Sequence, residues 1–283
     1  MQDATRKGLH EQNRKSWNAV VPAHNSHKRD QASFLSEGGS TLFPDELTLL
    51  GDIRNKSLAH LQCNCGQDSL SLAQLGASVT GIDIADDAIA YAKQLAQDSG
   101  IDANFIRQDL FDWFDTTDQT FDLAFSTYGT IGWLANLDQW AKGVRKILSP
   151  HGRLILLEFH PIIWSLSADG RLTDSYFMAN PIEESAGVND YVGPGLAPSG
   201  FETGDAKFEN PEPAHAFQWT VADIVQSLIK AGLRIETMQE YPYANGCEVI
   251  PGMRPIPGNR FALANDLPTM PLMLGLTAQP ISE

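Results

Sequence analysis

The stretch SLAHLQCNCGQDSLSLAQLGASVTGID, Ser57 to Asp83, constrains this chain more than any other segment. It holds an apolar strand, a tight turn, a short helix and a second strand ending in an acid. That is the order of the first half of a nucleotide-type βαβ unit. The turn Cys63-Asn64-Cys65-Gly66 lets a ligand approach the backbone at the mouth of the helix. Asp83, seventeen positions after Gly66, stands where a carboxylate can take two ribose hydroxyls.

The 283 residues suffice for one large α/β domain, and a 42% hydrophobic content supplies its core. The net charge of −15 argues against nucleic acid and against anionic membranes as partners, because both need basic patches. The three cysteines are an odd set with Cys63 and Cys65 only two positions apart, which points away from a disulfide framework and towards a reducing cytoplasm. The polar start MQDATRKGLHEQNRK has no apolar h-region, and no run reaches the length of a membrane span.

From Leu58 a regular alternation begins. Strands are expected at 58–62, 78–82, 104–107, 121–126 and 153–159, the last of them, RLILLEF, apolar on both faces. Helices are expected at 69–75, from Asp86 as cap to 97, and at 134–148, ended by Ser149-Pro150. Thr220-Val221-Ala222-Asp223 reads as a capping box opening a helix to 231, and two closing strands follow at 234–240 and 270–279. Residues 8–20 read as a helix, followed by the polar stretch AHNSHKRDQ. Residues 160–216 break the rhythm with Gly, Pro, acids and scattered aromatics. They read as an inserted cap after the fifth strand, holding a short hairpin.

This succession resembles the class I S-adenosylmethionine-dependent methyltransferases. Five elements carry the resemblance in order: LAHLQCNCG, VTGIDIADDAIAYAKQLA, FIRQDLFDW, FDLAFSTYGTIGWL and LSPHGRLILLE. Together they span roughly 58–158. Where the family's first strand commonly ends Asp-x-Gly-x-Gly-x-Gly, this chain has His60, Gln62, Asn64 and Gly66. Asn tolerates positive φ better than most residues, so Asn64 keeps the turn.

The resemblance implies a Rossmann-like α/β fold, with a seven-stranded, doubly wound sheet of order 3-2-1-4-5-7-6 and the last strand antiparallel. It implies an N-terminal lid over 1–50, a methyltransferase domain over 51–283 and a substrate cap at about 160–216. The cofactor it implies is S-adenosyl-L-methionine, and the partner a small-molecule methyl acceptor; a homodimer is compatible with it. Asp83 is expected on the ribose, Ile84 on the adenine face, and Asp109 with Leu110 at the adenine amino group and ring. Cys63, Asn64, Cys65 and Gly66 are expected at the methionine part, with Cys65 and Gly66 presenting backbone groups. Gln62 is expected to bond the methionine end or the lid. His60 has two readings, a cofactor contact and a hydrogen-bonded core histidine.

Ser126, Thr127 and Tyr128 follow strand four and face the sulfonium and the acceptor, or else form a structural turn ended by Gly129. Trp17, His24, Asn25 and His27 form a cluster in which the spacing of His24 and His27 can place both on one helical face. Metal binding is weighed for the two histidines and set aside, for want of a matching ligand set. The preferred reading is a lid touching cofactor or acceptor, with Trp17 and His27 at the substrate. Trp133 reads as a substrate wall or as packing at a helix start, and Tyr191 as an acceptor contact from the insertion. His215 and Trp219 are placed at the pocket mouth, and Asp112 and Asp115 on a solvated face. His160, with Glu158 or another acid nearby, is the expected base, with His24 and Tyr128 as further catalytic candidates. A nicotinamide-dependent oxidoreductase would carry glycines at 62, 64 and 67; the chain has Gln62, Asn64 and Gln67. A protein that keeps the fold and only binds the cofactor is the other alternative.

Overall fold

The computed structural model describes residues 3–167 and 169–281. Strands β1 (Ser57–Leu61), β2 (Ser78–Asp83), β3 (Asn104–Arg107), β4 (Phe121–Thr127), β5 (Leu148–Phe159), β6 (Leu233–Tyr241) and β7 (Met273–Pro280) form one sheet in the order 3-2-1-4-5-7-6. The first five are parallel, and β7 runs antiparallel to both β5 and β6. This is the expected doubly wound arrangement.

The helices are α1 (Asp3–Ser26), α2 (Gln31–Ser36), α3 (Pro44–Leu50), α4 (Gln67–Gln74), α5 (Asp86–Ser99), α6 (Leu110–Thr116), α7 (Leu137–Ile147) and α8 (Val221–Lys230). Strand residues alternate between the two faces with period two, and the core divides accordingly. Leu154 and Leu156 of β5 pack with Phe111, Trp140 and Leu228 of α6, α7 and α8. Ile155, with Leu58 and Phe125, packs with Leu50 and Leu72 of α3 and α4. All four residues 154–157 are fully buried, which is why the LILL within RLILLEF is an unbroken apolar run.

Several local expectations give way to the tertiary structure. Helix α1 runs on through Pro22 to Ser26, taking in much of the polar AHNSH segment; Pro22 is exposed while Val21, Ala23 and His24 are buried. Asp86 does not cap α5, because Ala85 holds that position. Its carboxylate instead takes Arg14, the Asn18 amide at 3.0 Å and Arg107 at 2.8 Å. Helix α7 starts at Leu137 with the Asn136 side chain as cap, and Ser149-Pro150 lie at the start of β5 rather than in a terminating turn. The Thr220–Asp223 capping box forms as expected. In the insertion, Ile182–Glu184 pairs antiparallel with Ala214–Ala216 across the long connection 185–213, so this pair is not the short hairpin expected. The link between β6 and β7 folds into a three-stranded sheet of 244–245, 254–256 and 260–262, which the sequence did not suggest. No helix among the described residues is long and apolar enough to cross a membrane.

Candidate functional site

The strand ends of β1 to β5 open on one cavity of about 790 Å³. Its floor is built by the turn after β1. There Gln62, Asn64 and Gly66 take φ of 56°, 48° and 78°, so a glutamine and an asparagine hold left-handed positions where the family pattern has glycine. Gly66 is the residue that cannot change: a Cβ there would lie 2.7 Å from the Ala92 Cβ and 2.8 Å from the Phe105 ring. The turn closes on itself. The Asn64 amide donates to Asp83 Oδ2 at 2.9 Å, the Cys65 amide to the Asn64 side chain at 2.7 Å, and the Gly66 amide to the Cys63 carbonyl at 3.0 Å. Cys65 and Gly66 therefore have no free amide to present, and neither lines the cavity; Cys65 packs instead against Val21, Ala85 and Ala88.

Asp83 lines the cavity at the end of β2. Its two oxygens accept the Asn64 and Ala85 amides, at 2.9 and 2.8 Å, and each keeps lone-pair capacity for a ligand. Burial pushes its carboxyl pKa up, against these two bonds. Ile84 follows it on the wall. Gln62 donates its amide to the Thr130 carbonyl at 2.9 Å, while its Oε1 is buried and has no partner. Gln62→Gly is expected to ease the backbone yet lower cofactor affinity by about 1–2 kcal/mol, because it removes both the tie to Thr130 and that acceptor. Calorimetry checks this; a gain in affinity would make Gln62 an obstruction. His60 lies on the cavity margin as a core histidine. It bonds Ser69 at 2.8 Å, and burial lowers its pKa to about 3, so it is neutral.

Beyond β3, Asp109 caps α6 by accepting the Phe111 amide at 2.9 Å. It is also clamped by two residues that sequence reasoning passed over: Arg6 at 3.1 Å and His10 at 2.6 Å. His10 takes the Ala135 amide on its other nitrogen and stacks on Phe111. Burial opposes the charge of Asp109, but the His10 bond and the Arg6 charge hold its pKa below the ordinary range. Asp112, expected on a solvated face, takes Arg6 at 3.2 Å. Residues 6, 10, 13 and 17 recur at helical spacing, a signal that was available in the sequence. The rest of that face stitches the insertion down. Asn13 exchanges two hydrogen bonds with the His215 backbone, Ser16 bonds Glu212 and Val188, and His24 reaches the Asn189 carbonyl at 3.2 Å. His27 does not line the cavity; it stacks on Phe201 and bonds Asp190 at 2.6 Å. Burial works against its charge, and Asp190 outweighs burial to raise its pKa.

After β4, Thr127 and Tyr128 line the cavity and Ser126 does not; the Ser126 hydroxyl sits behind, 2.7 Å from that of Thr130. Tyr128 has φ of 37°, and its hydroxyl accepts from Asn245 at 2.7 Å. The turn that follows is held by Glu158. Its carboxylate accepts the amides of Gly129, Thr130 and Ile131 and the Thr130 hydroxyl, at 2.5, 2.7, 2.9 and 2.6 Å. Glu158 thus points away from His160, which faces out of the cavity, bonds Glu240 at 3.1 Å and caps the short turn 161–165. Of the acids expected beside His160, Glu158 is turned away and Glu240 is the one that pairs with it. Trp17, Trp133, His24 and Tyr191 meet edge to face on the far wall, joined by Phe217 and Trp219. His215 stays off the lining. Burial lowers the His24 pKa to about 4. His24 and His27 both face Asp190, and no metal-holding group of three or more His, Cys, Asp or Glu forms among the described residues.

Residues 59–152 match the family model of a methyltransferase domain. No curated protein sequence matches the chain significantly. Among solved structures, an S-adenosylmethionine-dependent methyltransferase from Mesorhizobium loti aligns with a TM-score of 0.55 and 20% identity, over 86% of this chain and 99% of its own. One from Listeria monocytogenes, described as putative, aligns at 0.56 and 19%, over 84% and 96%. DhpI in complex with SAH aligns at 0.54 and 17%, over 97% and 98%. The sheet and its helices thus have the class I, S-adenosylmethionine-dependent methyltransferase fold. Within that fold, residues 59–152 are the part of the chain that matches a methyltransferase domain.

Proposed function

We propose that the protein moves the methyl group of S-adenosylmethionine to an O, N or S nucleophile of a small, largely apolar molecule. The observation that carries this is the cavity of about 790 Å³, lined by α1 and the insertion and walled by Trp17, Trp133, Tyr191, Phe217 and Trp219. A cavity of that size suits a small ligand. The roof and the net charge of −15 both disfavour a nucleic-acid acceptor.

The residues present fit the cofactor. Asp83 offers lone pairs to the ribose, Ile84 and Leu110 offer apolar faces to the adenine, and Gln62 Oε1 is a buried acceptor without a partner. Asp109 serves this end indirectly, as cap of α6 and anchor of α1. When bound, S-adenosylmethionine supplies an electrophilic methyl on sulfur. The chain supplies alignment and exclusion of water: the Glu158-held turn places Thr127 and Tyr128, and the aromatic wall keeps the acceptor dry.

The reading is tested by calorimetry with S-adenosylmethionine, followed by turnover to S-adenosylhomocysteine with candidate acceptors found by mass spectrometry of the purified protein. Tight binding with no turnover on any co-purified acceptor would favour the binding-only alternative. No histidine is assigned as base. His24 is neutral above its pKa of about 4, and its Nε2 is engaged by Asn189. The saturated rate is therefore expected to vary less than about twofold between about pH 6 and 8. A rate falling tenfold as pH drops over that range would restore a histidine base.

A further inference from the structure

Two ionisable side chains on the cavity take no part in the contacts above. Lys28, just past the end of α1, lines it, and its ammonium makes no hydrogen bond or ion pair among the described residues. Asp68, in the first turn of α4, lines the same cavity. One of its oxygens accepts the Thr41 hydroxyl at 2.5 Å, and the other has no hydrogen bond among the described residues. Lys28 and Asp68 attract one another through space without touching. The amides beside them are engaged with each other, Gln67 donating to Gln31 at 2.7 Å and to Asn25 at 3.2 Å.

A cation and an anion that face one cavity without neutralising each other match a zwitterion. Burial works against the charge of each, lowering the pKa of Lys28 and raising that of Asp68, so both gain from opposite charges brought by a ligand. Asp68 stands two residues past Gly66, at the mouth of the β1 turn. The position where the family pattern places an acid is held by His60, neutral and bonded to Ser69, so that carboxylate is missing here.

We propose that Lys28 and Asp68 receive the α-amino-carboxylate end of S-adenosylmethionine, Lys28 pairing with the carboxylate and the free oxygen of Asp68 accepting from the α-ammonium. This rests on the cofactor reading above and assigns to the lid and to α4 the charges that the β1 turn lacks. Lys28 then couples cofactor binding to the position of α1.

The test is calorimetry on the full chain with S-adenosylhomocysteine and with 5′-methylthioadenosine, which lacks the amino acid. Lys28→Met and Asp68→Asn are each expected to weaken S-adenosylhomocysteine about tenfold to a hundredfold while leaving 5′-methylthioadenosine within about twofold. Lys28→Arg, which keeps the charge, is expected to recover most of the loss. Variants that bind S-adenosylhomocysteine like wild type, or that lose both ligands equally, overturn the assignment while the cofactor reading stands. A wild-type protein that binds neither ligand overturns both.

Discussion

Glu158→Ala is expected to cost about 3–5 kcal/mol of folding stability, the scale of removing one partner from a buried, fully bonded network. The Gly129, Thr130 and Ile131 amides and the Thr130 hydroxyl all end on this one carboxylate. Water cannot easily replace it, because Glu158 and Thr130 are buried. The loss reaches the site, since the same turn supplies the Thr130 carbonyl that holds Gln62 and carries Tyr128 on its strained backbone. Glu158→Gln keeps the shape but sets an amide donor against backbone donors, and an intermediate loss is expected. Urea denaturation measures both. A loss below about 1 kcal/mol for the alanine variant would mean that the turn is held by other contacts.

Asp83→Ala is expected to weaken S-adenosylmethionine binding by about 1.5–3 kcal/mol, the range for charge-assisted hydrogen bonds to ribose hydroxyls. The fold persists, because Asp83 ends β2 and leaves the sheet register untouched. A stability cost of about 1–3 kcal/mol accompanies it, since the Asn64 and Ala85 amides lose their acceptor. Calorimetry and thermal unfolding on the same variant separate the two effects. Unchanged affinity beside lowered stability would make Asp83 a clamp on the turn alone, with the ribose placed elsewhere.

Much of the domain was legible along the chain because its causes are local. The unbroken apolar runs of β1 and β5, the αL cap at Gly100 and the Thr220–Asp223 capping box are each written in a few consecutive residues. The five ordered elements were enough to place Asp83, Ile84, Asp109, Leu110, Thr127 and Tyr128 on one cavity. Asn64 kept its left-handed turn, and Gln62 adopted one too, without glycine.

Other features depended on where side chains meet after the chain has closed. Nothing near Glu158 in sequence says that it turns to residues 129–131 while His160 turns to Glu240; a strand would put residues two apart on one face, but β5 ends at Phe159, and only the packed sheet shows what each one meets. Asp109 was read as a cofactor contact, yet Arg6 and His10, about a hundred residues earlier, engage its carboxylate. AHNSH was read as a polar segment, but burial against Asn189 and Tyr191 carries α1 through it. The sequence by itself determined the ligand edge and the acid at β2, and its resemblance implied the sheet order. The direction of each buried polar group, the roof over the cavity and the placing of Lys28 and Asp68 on one cavity were decided by tertiary structure, because a buried charge takes whichever partner the fold brings within reach.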